Sequence, residues 1–574
     1  NKGEETFNIL QKRIPELFKK FNFPKTMRWG SSALAFARPI RWIVAIFAEQ
    51  LIPIKINGIS AGKISYGNRY QKLSNVVEIN SPQDYETSLL SVKVIANRET
   101  RKDLIIQQMG KLFADKTDEV IEDKKLLEVV TDLVEFPTAV IGFFDKKYLE
   151  LPQKIITSTL SQHQKYFAVR SANGELTNKF VFISNGNPEY SDLIRSGNEK
   201  VIIARLDDAS FFYKEDTSIP LEKYIPKLNE VLFQSKLGSL LNKTERITNI
   251  CNFLSKKLNL SSGDTIKAMR AASLCKADLV TLMLGEKEFT KLQGYIGMKY
   301  ALVAGEEHDI ATAIYEHYQP RGQNDDLPAS LIGSLVAIAD KLDTVCGIIG
   351  VDMVPSGSND PFALRRAANG IVQIIAAKEL GINLIELIDF AFTELADKLE
   401  RKNHNRELVY DFFKQRVGWL LKENNIDHDV MESVMHVDFS DIADIKQRAG
   451  DLQKFKQKED FTKLVIGFKR VSNIIAKADN IIEIKPELLE AEAEKDLYES
   501  YQVLQPEIDK YLVSKDYVKV MERLVNFGEK IDQFFDNVMV NAEDETLKQN
   551  RYALLALIQT LFYKVADIAK IVVK

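Results

Sequence analysis

Cysteine is scarce. The chain has three, Cys251, Cys275 and Cys346, far apart and with no CxxC pair among them. That excludes a disulfide framework and makes a reducing compartment, the cytosol, the simplest expectation. Long apolar runs are absent. None approaches the ~18–20 residues a membrane span needs, and WIVAIF (42–47) reads as a strand, so no membrane contact is expected. Positive charge is not in excess. The net charge is −4, so no global basic field draws nucleic acid, and any RNA contact has to come from local patches. No charged-then-apolar leader stands at the start. Phosphate loops are missing too: there is no G-x-x-x-x-G-K-[ST] and no G-x-G-x-x-G after a strand. No G-x-S-x-G elbow or H-E-x-x-H occurs either.

What is present is 574 residues, too many for one core, so two to four domains are expected. The expected fold class is α+β and multidomain. IRWIVAIF (40–47), LIPIKING (51–58) and SVKVIAN (91–97) read as strands. YFAVR (166–170) and KFVFISN (179–185) read as a hairpin, with Asn173-Gly174 suited to a turn that needs positive φ. RKDLIIQQMGKLFADK (101–116) has helical spacing. From about 219 onward nearly every segment has a 3.6-residue apolar period, including LVTLMLG (279–285) and LIGSLVAIADKLDTVCGIIG (331–350). KADNIIEIKPELL (477–489), with Pro486, reads as a boundary. The expected divisions are an α/β region over 1–230, a helical domain over 231–400, a helical linker over 401–480 and a helical bundle over 481–574.

GEEHDIATAIYEHYQPR (305–321) raises the question of a metal site. His308 and Asp309 are adjacent, a pairing that metal phosphohydrolases use, and ADKLDT supplies Asp340 and Asp343 on one helical face. The remaining histidines do not complete a set. His163 is the next one upstream, and His308 and His317 point about half a turn apart at 100° per residue. The structural alternative puts His308 and Asp309 at a helix start, where Asp309 favours the dipole. For Asp340 and Asp343 it is capping or hydrogen bonding inside the bundle. A second candidate is PSGSNDPFALRRAANG (355–370). Ser358, Asn359 or Asp360 can cap a helix beginning at Pro361. Arg365 and Arg366 then oppose the helix dipole, and serve either an anion or an internal carboxylate.

Several long blocks resemble the β subunit of bacterial glycyl-tRNA synthetase. They include FPKTMRWGSSALAFARPIRWIVAIF (23–47), GNEKVIIARLDDASFFYKED (197–216), KLGSLLNKTERI (236–247) and CKADLVTLMLGEKEFTKLQGYIGMKYALVAGE (275–306). EHYQPR (316–321), DPFALRRAANGIV (360–372) and FFDNVMVNAEDETLKQNRYALLALI (534–558) continue the set. The likeness runs in order over essentially the whole chain. SYGNRY (65–70) departs from it, standing where relatives more often show a histidine near Asn68. Family members begin earlier than Asn1, so part of the natural N-terminus is expected before it.

The resemblance implies a tRNA-binding subunit of glycine–tRNA ligase, partnered by a separate α subunit, as an α2β2 tetramer in the cytoplasm. The α subunit would carry the class II site that uses glycine, ATP and Mg2+, so no catalytic residue and no cofactor is expected in this chain. The N-terminal region would have B3/B4-like character, the middle would be a degenerate HD-like helical domain, and the C-terminal bundle would bind the anticodon. The metal pair of the HD-like domain would fall at Cys275-Lys276-Ala277-Asp278. A lysine ammonium there repels a divalent cation and attracts phosphate, so no metal is expected. Lys276, Arg321, Arg365 and Arg366 are then candidates for the tRNA acceptor arm. In 481–574 there are 18 acidic and 12 basic residues, a net of −6, so an RNA surface must be local. Asn541, Lys548, Asn550 and Arg551 are the candidates for the anticodon. The alternative for Asn550 and Arg551 is bracing of the bundle, and Phe534, Phe535 and Phe562 are expected to pack rather than stack on bases. Two competing functions remain: an HD-type metal-dependent phosphohydrolase, and a stand-alone RNA-binding scaffold.

Overall fold

The computed structural model describes residues 3–30, 34–70, 75–476 and 483–573. These form two compact units, one of residues up to 216 with 282–292, the other of 217–281 with 293 onward. The expected mixed α/β start and helical remainder are both present.

In the first unit α1 (Thr6–Lys20) precedes short hairpins. The main body is α2 (Arg98–Leu112), β1 (Asp118–Val120), α3 (Lys124–Leu133), β2 (Thr138–Phe143), β3 (Phe167–Ser171), β4 (Leu176–Ser184) and α4 (Ser191–Thr217). The four strands make one antiparallel sheet in the order β1-β3-β4-β2. Gly174 takes φ +87° in the β3–β4 hairpin, the conformation expected of the Asn173-Gly174 turn. Phe167, Val169 and Val181 bury against Ile105, Leu126 and Val130 of α2 and α3. Burying each of these side chains contributes about 1.5–3 kcal/mol. The helices start where side chains satisfy free amides: Asn97 Oδ1 accepts from Glu99 and Thr100, and Asp123 Oδ1 accepts from Leu126.

Three of the expected strands are different structures, and IRWIVAIF is strand only at Ile46–Phe47, with Val44 in an isolated bridge to Gly62. LIPIKING contains a tight hairpin. Asn57 and Gly58 take φ +51° and +83°, as a two-residue type I′ turn requires, and join Lys55–Ile56 to Ile59–Ser60. SVKVIAN contains no strand. Ser91 ends a short helix, Lys93 has φ +58°, and Asn97 is already the cap of α2.

The second unit is helical: α5 (Leu240–Lys257), α6 (Ser262–Leu274), α7 (Tyr295–Val303), α8 (His308–Glu316), α9 (Leu331–Gly350), α10 (Leu364–Ala377) and α11 (Leu384–Glu394). Next come α12 (Lys402–Glu423), α13 (His428–Val437), α14 (Ile442–Phe455) and α15 (Glu459–Ile475). The C-terminal bundle is α16 (Glu492–Val513), α17 (Tyr517–Asn537) and α18 (Glu545–Tyr563). LVTLMLG is not one helix, because Thr281 is extended between two short turns. The expected boundary at 477–489 lies partly outside the described residues, and Pro486 opens a 3-10 turn. Helix α12 packs on α9, α10 and α11, while α14 and α15 pack on α17. Ser433 Oγ donates to Asp567 O at 2.8 Å and Arg448 Nη1 to Val565 O at 2.8 Å, so the C-terminal bundle is stitched to its neighbours.

Helix α9 lies at the centre, with almost every residue from Ile332 to Gly350 buried. A helix buried on all sides has no solvent face for charge. Asp340, Lys341 and Asp343 therefore have to find partners in the interior. Among the described residues no helix is long and apolar enough to cross a membrane.

Candidate functional site

The partners of α9 come from three neighbouring elements. Helix α5 supplies Lys243 and Arg246, three residues apart on one face. Arg246 grips Asp343 with Nε and Nη2. Lys243 Nζ donates to Asp343 Oδ2 at 3.0 Å and to Thr344 Oγ1 at 2.8 Å, and lies 3.0 Å from Asp340 Oδ1. The turn after α6 supplies Lys276, and the end of α8 supplies His317.

Lys276 Nζ lies 2.8 Å from Asp340 Oδ2 and 2.9 Å from His317 Nε2, and 4.2 Å over the Tyr318 ring. Nδ1 of His317 donates to Ile314 O at 2.6 Å, which leaves Nε2 as the acceptor for the ammonium. An imidazole nitrogen, a carboxylate oxygen and an aromatic face thus surround one positive charge. Burial drives the His317 ring well below its ordinary value, and the Lys276 charge drives it further, so it stays neutral. Burial alone would raise Asp340. The charges of Lys243 and Lys276, with the Lys276 hydrogen bond, outweigh it and hold the carboxyl well below the usual range.

Asp278 is also interior. Its Oδ2 accepts from Gly294 N at 2.6 Å and Gly297 N at 3.1 Å, and burial raises it to about 6. Lys341 Nζ donates to the carbonyls of His317 and Gln319 at 3.0 and 2.7 Å, and burial lowers it to about 7.

EHYQPR is built around this centre. Glu316 accepts from Ala329 N at 3.0 Å and from Ser330, holding the start of α9. A Cβ at Gly333 would fall 2.1 Å from Glu316 Oε2, so that approach requires glycine. Arg321 is exposed, stacks 5.1 Å from the Tyr318 ring, and donates from Nη2 to Gln293 O at 2.9 Å.

His308 and Asp309 are the first residues of α8, and Asp309 is an exposed partner of Lys267 at 2.9 Å. The helix-start reading of that pair holds. Asp340 and Asp343 bond inside the bundle. Among the described residues no three His, Cys, Asp or Glu side chains converge as metal ligands.

The candidate RNA contacts separate into surface and interior. Lys276, expected at an RNA-facing surface, is interior at 5% exposure, because Asp340 and His317 consume its donors. Arg366 is exposed and Arg365 half-buried at the start of α10. That helix begins at Leu364 rather than Pro361: Ala363 is left-handed, and Asp360 accepts from Leu364 N and Arg365 N at 2.8 and 3.0 Å.

In the C-terminal bundle Asn550 and Arg551 are braces, at 1% and 9% exposure. Asn550 bonds both backbone groups of Lys485, at 2.7 and 3.0 Å. Arg551 Nε donates to the buried carboxylate of Glu494, and Nη1 to Met539 O at 2.9 Å. Asn541 is exposed and accepts from the Tyr552 hydroxyl at 2.8 Å. Lys548 is half-buried and pairs with Glu545 at 3.1 Å. Phe534 and Phe562 are core, as expected. Sequence reasoning missed Lys243, Arg246 and Lys341. The available signal was charge at positions in step with Ile247, Ile250 and Leu254 on α5, and a triple charge inside an otherwise apolar α9.

Comparison with known proteins gives two family matches. The model described as glycyl-tRNA synthetase beta subunit matches residues 1–436, and the DALR anticodon binding domain matches 465–573. A protein of Desulforamulus reducens is 37% identical over 100% of this chain and 82% of its own length. Relatives in Halothermothrix orenii and Clostridioides difficile strain 630 are each 38% identical, over 99% and 100% of this chain and 82% of their own lengths. All three are named glycine–tRNA ligase beta subunit.

Proposed function

This chain belongs to the glycyl-tRNA synthetase β-subunit family, and on that premise we propose that it binds tRNA-Gly for a separate, catalytic α subunit. The α subunit activates glycine with ATP and Mg2+ and performs the transfer. The two assemble as an α2β2 tetramer in the cytoplasm. This chain supplies the acceptor-arm and anticodon contacts, the latter through the DALR-type domain.

The observation that carries the reading is the Lys276 ammonium between His317 and Asp340. A hydrolase of the HD type needs a divalent cation between such ligands. A metal at ordinary distances of about 2.0–2.2 Å from nitrogen and oxygen collides with Nζ, and two positive charges repel there. An HD-like pocket that has taken an internal ammonium in place of its metal keeps its shape and loses its chemistry. The helices around it become a scaffold that presents Arg321, Arg365 and Arg366 to RNA phosphates. Lys276 acts from inside, by holding α8 and α9 together. At the anticodon end, Asn541 and Lys548 are the contacts left at the surface, and Asn550 and Arg551 hold the helix that carries them.

The test is tRNA-Gly affinity of the α–β complex with Arg365→Ala and Arg366→Ala together, measured against salt. Each lost phosphate contact is expected to reduce the salt slope by about 1. An unchanged affinity and slope would remove the acceptor-arm assignment.

A further inference from the structure

The first unit opens with a charge anomaly. Residues 21–70 hold seven Lys and Arg and one acidic residue, a net of +6, in a chain whose total is −4. Six of the seven are exposed, and Lys63 is half-buried. Among the described residues none of the seven makes an ion pair, and Arg38 spends Nη1 on the neighbouring Ala37 O at 3.3 Å. Like charges crowded without counter-charges repel one another in the free chain. A local basic field of this kind is the electrostatic footprint of a polyanion.

The same segment exposes its rings. Trp42 and Tyr66 are 41% and 42% exposed, with ring centroids 4.7 Å apart. The backbone brings them together. Val44 bridges Gly62, whose amide donates to Ile43 O at 2.9 Å, so the chain around Trp42 runs beside Ile64–Tyr66. That strand pairs in turn with Val76–Glu78. Trp42, Ser65, Pro82 and the exposed Tyr85 line a groove of about 430 Å³, within the range of small-ligand pockets. Arg41 directly precedes Trp42, and Lys63 lies three residues before Tyr66, so the two cations flank the rings. Farther along, Arg69 lies 6.0 Å over the Tyr70 ring. Two carboxylates are close by: Asp84 accepts from Ser81 Oγ at 2.8 Å, and Glu78 stands opposite Ile64 in the strand pair.

We propose that this face binds single-stranded RNA, an unpaired stretch of the bound tRNA. One base stacks on the exposed Trp42–Tyr66 pair, and Arg41 and Lys63 hold the phosphates on either side of it. Exposed aromatic rings beside a basic surface bind unpaired nucleotides with little regard to sequence, because every base has a π-face. A duplex hides its base faces in the stack, so the rings favour unpaired nucleotides over paired ones. Charge decides the occupant. A protein partner of ordinary composition leaves the +6 unbalanced, whereas each nucleotide brings its own phosphate. The face is a third RNA contact, on the first unit, besides those assigned to the helical domain and the C-terminal bundle. It rests on the tRNA-binding reading.

The test compares the wild-type α–β complex with two variants, one carrying Trp42→Leu and Tyr66→Leu, the other Arg41→Gln and Lys63→Gln. In the ring variant tRNA-Gly affinity is expected to fall roughly tenfold with the salt slope unchanged, because stacking releases no counter-ion. In the charge variant affinity falls and the slope is expected to be smaller by about 1.4, since each single-strand phosphate contact contributes about 0.7. Unchanged affinity in the ring variant, or an unchanged slope in the charge variant, overturns the proposal. A variant that sheds the α subunit on gel filtration assigns the face to that partner and overturns the RNA assignment. If the ring variant also loses thermal midpoint, fluorescence of the complex with an oligouridylate decides. Quenching present in the wild type and absent in Trp42→Phe supports stacking on Trp42, and equal quenching in both overturns it. Loss of affinity in the Arg365/Arg366 double variant with none in these two ends this surface alone. A wild-type complex that does not bind tRNA-Gly ends the reading on which the proposal rests.

Discussion

Lys276 and Asp340 meet 2.8 Å apart inside the helical unit, with His317 Nε2 2.9 Å from the same ammonium. The lysine comes from a turn after α6 and the aspartate from the middle of α9, so the pair ties together two elements far apart in sequence. Removing one partner of a buried ion pair costs more than the pair's net contribution, because the other charge stays desolvated. Lys276→Met is expected to destabilise the chain by about 3 kcal/mol. Urea unfolding at constant m-value checks it, and an unchanged midpoint would show that Lys243 alone satisfies Asp340.

Two buried groups give the stability a pH signature. Asp278 rises from 3.8 to about 6 in the fold, so the folded state holds its proton more tightly than the unfolded chain. Its contribution is complete below about pH 4 and is lost as pH rises through 6. Lys341 falls from 10.5 to about 7, so between those values the unfolded chain binds more protons. Stability therefore rises with pH across that window. Asp278→Asn is expected to flatten the acid-side slope and Lys341→Met the alkaline-side slope. Unfolding midpoints from pH 4 to 10 in one buffer series read both.

Asn550 and Arg551 brace the C-terminal bundle, and Lys548 is its proposed RNA contact. Arg551→Met strands the Glu494 carboxylate, which is fully buried, and is expected to cost about 3 kcal/mol. Lys548→Ala is expected to leave the unfolding midpoint in place and to weaken tRNA-Gly binding, with a salt slope smaller by about 1. Chemical unfolding and tRNA titration on each variant check the split. Point variants are the right tool, since deleting the bundle would strip the carbonyls that Ser433 and Arg448 hold.

Asp309→Asn tests the residue that first suggests metal chemistry. It breaks one exposed contact with Lys267 and touches nothing in the interior. Charging activity and the unfolding midpoint are both expected to stay at wild-type levels. A large loss of activity would return His308 and Asp309 to the functional site.

Much of this was legible in the sequence. The 3.6-residue period marks the helical unit, and Asn173-Gly174 marks a turn. The hidden part has a physical cause. Period and propensity report which face of an element is apolar, but not which charged residue another element neutralises. Arg551 reads equally as an RNA contact or a brace until Glu494, 57 residues earlier, is seen beneath it. Lys243 and Arg246 are charges on the apolar face of α5, and their role shows only when α9 presents Asp340 and Asp343 to them. Lys276 shows the same limit. The family resemblance implies its place at the metal-pair position of an HD-like domain, whereas its inward direction depends on two helices that lie beyond any local window. SVKVIAN fails differently: its β-branched residues suggest a strand, yet the Asn97 cap and the left-handed Lys93 decide the backbone.

The central claim is that this chain supplies tRNA binding while the chemistry belongs to the α subunit. The direct measurement is glycylation of tRNA-Gly by this chain alone, by the α subunit alone and by the mixture, with glycine-dependent ATP–pyrophosphate exchange followed in each. The account expects exchange wherever α is present and charging in the mixture only. Charging by α alone at the rate of the mixture, or exchange by this chain alone, would contradict it.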